Sequence, residues 1–190
     1  MKVIHINIFC SKGSTGSIIQ SIINQSSDAN IDSYIIYGRG QGMKDKHHIK
    51  AGPEAIMKLQ SLISKITGNA YGGCFFSTTR ILYYIRKINP DVVHLHSING
   101  YTVNVYKLLK YLKKNNIKTV LTLHAEFMYT ANCSHAYECN KWIEGCFKCN
   151  KDIPERPKSF FFDMSGQNWV KMSKAYQGFS NLKIVAVSPW

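Results

Sequence analysis

The chain has 190 residues, 45% of them hydrophobic, so a single domain of ordinary size can bury its own core without disulfides or an obligatory partner. Its 24 Lys and Arg against 11 Asp and Glu leave a net charge of +13, which points to an acidic partner (nucleic acid, an anionic membrane surface or a phosphate-bearing substrate) or to a solvated basic surface. No stretch is apolar for long enough to span a bilayer, and the opening MKVIHINIFC runs straight into a polar loop, so it reads as a first strand rather than a secretory signal. A soluble, cytoplasmic protein is expected, in which clustered thiols stay reduced and indicate a metal sooner than a disulfide.

Strand-like and helical patterns alternate along the chain. Residues 2–8 form an apolar β-type run, 15–25 place Ile18, Ile19, Ile22 and Ile23 on one helical face, and 33–37 return to strand. After a polar loop carrying Gly38, Gly40 and Gly42, residues 54–66 predict a helix with Ile56, Leu59, Leu62, Ile63 and Ile66 on its apolar side, ended by Gly68, Gly72 and Gly73. A helix through Ile81, Leu82 and Ile85 stops at Asn89-Pro90, and DVVHLHSI is a buried strand. Val105, Leu108, Leu109 and Leu112 form the next helix, and KTVLTLH is a second buried strand. A cysteine-rich insertion, about residues 126–158, interrupts the pattern before a helix over 167–178 and a last strand, LKIVAVS. Helices between strands that are apolar on both faces imply a parallel sheet covered on both sides, hence a Rossmann-like α/β domain over residues 1–190 that binds ligands beyond the carboxyl ends of its strands.

Four groups of residues could carry chemistry. In CSKGSTGS after the first strand, Gly13, Ser14, Thr15 and Gly16 open a helix whose free N–H groups could receive a phosphate, although a simple tight turn has the same composition. His96 and His124 end neighbouring strands and point into one crevice, where imidazole can donate to a phosphate or sugar oxygen. Asn99 follows in the same loop as His96 and joins it as a substrate-binding candidate, whereas His94 reads as structural. Glu126 beside His124 could serve as acid, base or imidazole partner. Cys133, Cys139, Cys146 and Cys149 have the number and spacing for a closed, structural zinc site, with His135 able to replace one thiol; a reduced packed cluster or disulfides are the alternatives. Cys10 and Cys74 lie far away and are expected in core or loop.

With these residues in view, the sequence resembles the N-terminal half of a bacterial family 4 glycosyltransferase of the capsule, colanic-acid or O-antigen type. The resemblance covers nearly the whole chain and rests on several stretches. These are KVIHIN before a glycine loop, PDVVHLHSINGYTVNVYKLLKYLKKNNIKTVLTLH, the cysteine segment with Gly145, PKSFFFDMSGQNWVKM, and IVAVSPW. Relatives usually carry an acidic residue after the His of TLH and a His before the first cysteine, where this chain has Ala125 and Asn132.

The resemblance implies a GT-B architecture, with two Rossmann-like domains facing a cleft, the first binding acceptor and the second the nucleotide-sugar. It places His124 by the transferred sugar and Gly13 and Gly16 near the donor diphosphate; His124 and, from its place beside it, Glu126 are the catalytic candidates. The donor-binding domain would follow Trp190 and is absent from this chain, so these residues alone are not expected to transfer sugar. A glycan or lipid-linked acceptor implies a location at the inner membrane face, which the basic helix over 103–115 could meet. No nucleic-acid partner is expected on this reading. The alternatives are a zinc-stabilised nucleic-acid-binding module and a non-catalytic remnant that binds acceptor or partner.

Overall fold

The computed structural model describes residues 1–27, 29–149, 154–156 and 159–187. The far end of the cysteine-rich insertion, the Pro157-Lys158 pair and the closing Ser188-Pro189-Trp190 lie outside the described residues.

Strand β1 (Lys2–Phe9) lies at the centre, because nearly every side chain from Val3 to Asn7 is apolar or hydrogen-bonded and all are buried. It pairs in parallel with β2 (Asp32–Arg39) on one side and β4 (Val92–Leu95) on the other. The short strand β3 (His48–Lys50) extends the sheet beyond β2, while β5 (Thr119–Leu123) and β6 (Leu182–Ala186) extend it beyond β4. The order of the six described strands, β3-β2-β1-β4-β5-β6, is that of a Rossmann-like doubly wound sheet, with its switch of direction between β1 and β4. All loops at the carboxyl ends of these strands therefore converge on one edge.

Helix α1 (Gly13–Ser27) follows β1, and α2 (Glu54–Thr67) and α3 (Phe75–Ile88) lie between β3 and β4. Helix α4 (Val105–Lys114) joins β4 to β5, and α6 (Ser165–Tyr176) precedes β6. The stop signals act as their chemistry requires. Gly68 takes a left-handed φ of 69° and donates its N–H to Ser64 O, while Asn89, just before Pro90, takes a φ of 51° and donates to Ile85 O. At the start of α4, the Asn104 side chain accepts from Lys107 N–H at 3.0 Å.

The sheet has two unlike faces. Ile4, Ile6, Ile36, Val93, Leu95 and Leu121 face a core closed by α3, α4 and α6, in which Val105, Leu108, Leu109 and Leu112 of α4 are wholly buried. The opposite face is smaller. There Ile35 and Tyr37 pack with Ile19 of α1 and with Cys10, and the register lines up Ile35, His5, His94, Val120 and Lys183 across five strands. Helix α1 packs on β1 and β2 of this face. Exposure rises toward its far side, where His94 and Val120 are half-buried and Lys183 and Val185 exposed.

Two features differ from the sequence reading. Strand β3 falls in what reads as a polar loop; three residues are too few to show a period. Helix α2 spans almost the expected residues, but its apolar stripe faces outward. Leu59, Leu62, Ile63 and Ile66 are 55%, 49%, 41% and 41% exposed, while Met57 and Ser64 face the protein.

Candidate functional site

The switch point is built around a side chain that the sequence does not advertise. Asn7, wholly buried near the end of β1, donates Nδ2–H to Phe9 O at 2.9 Å and to Thr15 Oγ1 at 3.3 Å, and its Oδ1 accepts Ser97 N–H at 3.1 Å. One amide thus ties together the loop after β1, the start of α1 and the loop after β4. In that first loop Gly13 has a φ of +75°, and a Cβ on Gly16 would lie 2.7 Å from the Ser11 carbonyl carbon, so a side chain at Gly16 requires the backbone to move. Gly13 and Ser14 are exposed and Thr15 half-buried, which leaves the first turn of α1 accessible. Asn99 sits in the loop after β4, and its Oδ1 is buried with no hydrogen-bond partner among the described residues.

Beside the switch point runs a row of imidazoles. His5 Nδ1 lies 3.2 Å from His96 Nε2, and His96 Nδ1 lies 3.3 Å from His124 Nε2. Each neutral ring has one N–H and one lone pair, so three neutral rings satisfy both contacts if the protons all point the same way along the row. His94 stands beside this row, its ring centroid 3.9 Å from that of His96, with Nε2 2.8 Å from Thr122 Oγ1.

Burial, and then the positive charge that neighbouring rings would carry, disfavour protonation: His5 and His94 are lowered to about 4 and His96 to about 2. Burial also lowers His124, which is nearer the surface.

His124 opens into a cavity of about 280 Å³ at the carboxyl end of β5, also lined by Glu126, Tyr129, Ser134 and His135. Ala125, where relatives of the resembled family carry an acid, lines it too. His124 and Glu126 are therefore brought together as expected. His96 supports His124 from behind, and neither Asn99 nor the Gly13–Gly16 loop lines this cavity.

Glu126 is engaged in a way its sequence neighbourhood does not reveal. Its carboxylate accepts the Ala136 N–H and the Tyr129 hydroxyl and lies 3.3 Å from His135 Nδ1, and its own N–H donates to Ser134 O at 2.9 Å. These contacts pin the cysteine segment to the end of β5 through the short helix α5 (Phe127–Thr130).

The four cysteines line one small pocket of about 10 Å³, together with Thr130, Ala136, Lys141 and Trp142. Cys133 and Cys149 share a hydrogen bond that raises the Cys133 thiol and lowers Cys149 to about 7. All four cysteines are among the described residues, yet no three of their sulfur atoms gather within 4.8 Å of one another, so as they stand the thiols do not close on a zinc ion. His135 is instead committed to Glu126. Asn132, where relatives have His, is a core cross-link: its Nδ2 donates to Thr130 O and Ser165 O at 3.1 Å, and its carbonyl accepts Tyr71 O–H at 2.7 Å. Cys10 and Cys74 are buried elsewhere.

Among the described residues no helix is long and apolar enough to cross a membrane. Compared with known proteins, the chain matches no family model and no curated protein.

Proposed function

We propose that this chain is the acceptor-binding, Rossmann-like half of a glycosyltransferase of the bacterial family 4 type. Its reaction would be hexosyl transfer from a nucleotide-sugar to a glycan or lipid-linked acceptor during surface polysaccharide synthesis, in the cytoplasm at the membrane face. The observation that carries the reading is the His124 cavity at the carboxyl edge of a Rossmann-like sheet, next to an accessible helix N-terminus across the switch point.

In this role His124 touches the sugar. A neutral imidazole can donate one hydrogen bond to a hydroxyl or phosphate oxygen, and the low proton affinity imposed by burial keeps it neutral at physiological pH. The amides of Ser14, Thr15 and Gly16 at the start of α1 would receive diphosphate oxygens, aided by the positive helix end and the basic surface. Glu126 acts as a positioning residue that holds the rim in place, and the cysteines staple that rim around zinc.

The membrane side of the reading is supported by α2 rather than by α4, whose leucines are buried in the core. The outward stripe of α2 continues into Phe160, Phe161 and Phe162, each more than half exposed, since Phe160 N–H donates to Lys65 O at the end of α2. Lys58 and Lys65 on that helix suit an anionic bilayer surface.

Calorimetric titration with nucleotide diphosphate-sugars and with a soluble prenyl-diphosphate saccharide tests the reading. Saccharide binding that weakens about tenfold, or 1.4 kcal/mol, in His124→Ala supports it. Absence of any saccharide or diphosphate binding, with tight and steeply salt-dependent binding of random oligonucleotides, would replace it by the nucleic-acid reading.

A further inference from the structure

We propose that His5, His94 and His96 form a binding site for one divalent transition-metal ion, of the zinc or cobalt kind, with a fourth coordination position left for water or a small anion. The site is separate from the cysteine cluster and does not depend on the sugar-transfer reading.

The sheet register creates the site. His5 on β1 pairs directly with His94 on β4, and His96 follows two residues later on the same face, so three imidazoles project from two hydrogen-bonded strands. One ligand nitrogen from each ring falls within 4.8 Å of the other two. The separation of His5 Nδ1 and His96 Nε2, 3.2 Å, is close to the roughly 3.3 Å between two ligands of a tetrahedral ion bonded at about 2.0–2.1 Å. The strands fix where the three side chains start, but the His94 and His96 rings are packed with centroids 3.9 Å apart, so one of them turns when both lone pairs meet the ion.

Metal-bound histidines are generally oriented by a hydrogen bond from the nitrogen away from the ion. Two of the three have that support. His94 Nε2 meets Thr122 Oγ1 at 2.8 Å, and His96 Nδ1 meets His124 Nε2 at 3.3 Å. With both far nitrogens donating, His94 Nδ1 and His96 Nε2 are left with lone pairs. The hydrogen between His5 and His96 moves to the far nitrogen of His5 when the ion takes its place.

Access and charge favour occupancy. His94 is half-buried, which gives the ion a route in from solvent. No carboxylate belongs to the ligand trio. The bound ion keeps its double positive charge and draws an oxyanion, such as a phosphate or carboxylate oxygen, to the open position. Three neutral nitrogens select borderline ions such as Zn²⁺, Co²⁺ or Ni²⁺ over Mg²⁺ or Ca²⁺, which require oxygen ligands.

Cobalt separates this site from the cysteines. The full chain, reduced and stripped with chelator, is titrated with Co²⁺ while its absorption spectrum is followed. The expected result is a population of weak visible bands without sulfur-to-metal charge transfer, beyond any intense thiolate signal. His94→Ala, at a half-buried position, should weaken those bands' affinity at least tenfold and leave both the thiolate signal and the circular dichroism unchanged. Nitrogen-15 spectra of the unmodified protein supply a readout that needs no variant: Zn²⁺ should shift three histidine rings together. Cobalt bands of thiolate type only, equal affinity in His94→Ala, or histidine resonances indifferent to Zn²⁺ would each overturn the proposal.

Discussion

His96 Nδ1 lies 3.3 Å from His124 Nε2, so a fully buried imidazole just past the end of β4 couples its proton to that of the imidazole that opens into the cavity. His5 in turn is coupled to His96. Replacing His96 by Leu removes both contacts at once and leaves two ring nitrogens without partners. The expected effects are a loss of about 1–3 kcal/mol of stability and a His124 ring that populates both tautomers. Urea denaturation reads the first and nitrogen-15 histidine spectra the second. A single unchanged His124 tautomer in the variant would mean that His96 does not position it.

The same row makes stability fall in mild acid. His5 and His94 are lowered to about 4 and His96 to about 2, from an ordinary 6.5. These rings stay neutral in the fold, so below pH 6.5 the unfolded chain binds more protons than the folded one. Their contribution is complete above 6.5 and drains away as the pH falls toward 4. Linkage gives roughly 2 kcal/mol lost per such histidine between pH 7.5 and pH 5. Urea midpoints of chelator-treated protein should drop steeply over that window, and His94→Gln should flatten the slope. A midpoint that holds constant down to pH 5 would show that the rings accept protons without unfolding.

The cysteine segment should behave as a metal-stapled rim. If zinc draws together the four thiols that line this pocket, Cys133, Cys139, Cys146 and Cys149 should resist alkylation until chelator or denaturant is added, while elemental analysis finds zinc. Glu126→Ala leaves the Ala136 N–H unpaired and should expose the same thiols without removing their ligands, at a cost of about 1–3 kcal/mol. Thiols that react at once in native, chelator-free protein would leave the cluster as reduced packing.

Much of this arrangement is legible in the residues. The alternation of apolar strands with amphipathic helices yields the doubly wound sheet, and the position of His124 at a strand end leads to the cavity, whereas His96, which reads as facing the same crevice, is buried behind it. Periodicity shows that α2 has an apolar stripe but not what the stripe faces, which depends on how α3 and β3 fill the space beside it. Asn7 is hidden because a polar residue inside an apolar strand has no local signature; its partners lie in loops brought together by the switch of strand order. The alternation that puts Asn7 on the same face as His5 is the signal that could have found it. Glu126 is visible as a carboxylate near a histidine, yet its engagement comes from backbone groups ten residues away.

The outward face of α2 and the exposed Phe160–Phe162 run make the last prediction. A continuous surface of half-exposed leucine, isoleucine and phenylalanine, rimmed by lysines on a chain of net charge +13, should partition onto anionic bilayers. The chain should sediment with vesicles containing phosphatidylglycerol, bind pure phosphatidylcholine weakly, and lose affinity as salt is raised. Each aromatic or leucine side chain withdrawn from water contributes about 1.5–3 kcal/mol, so Leu62→Ser with Phe161→Ser should reduce binding tenfold or more. Neither residue is in the core, so the fold should persist. If the chain instead forms dimers in solution that the same pair of substitutions dissociates, this face is an interface between copies, and the membrane assignment fails.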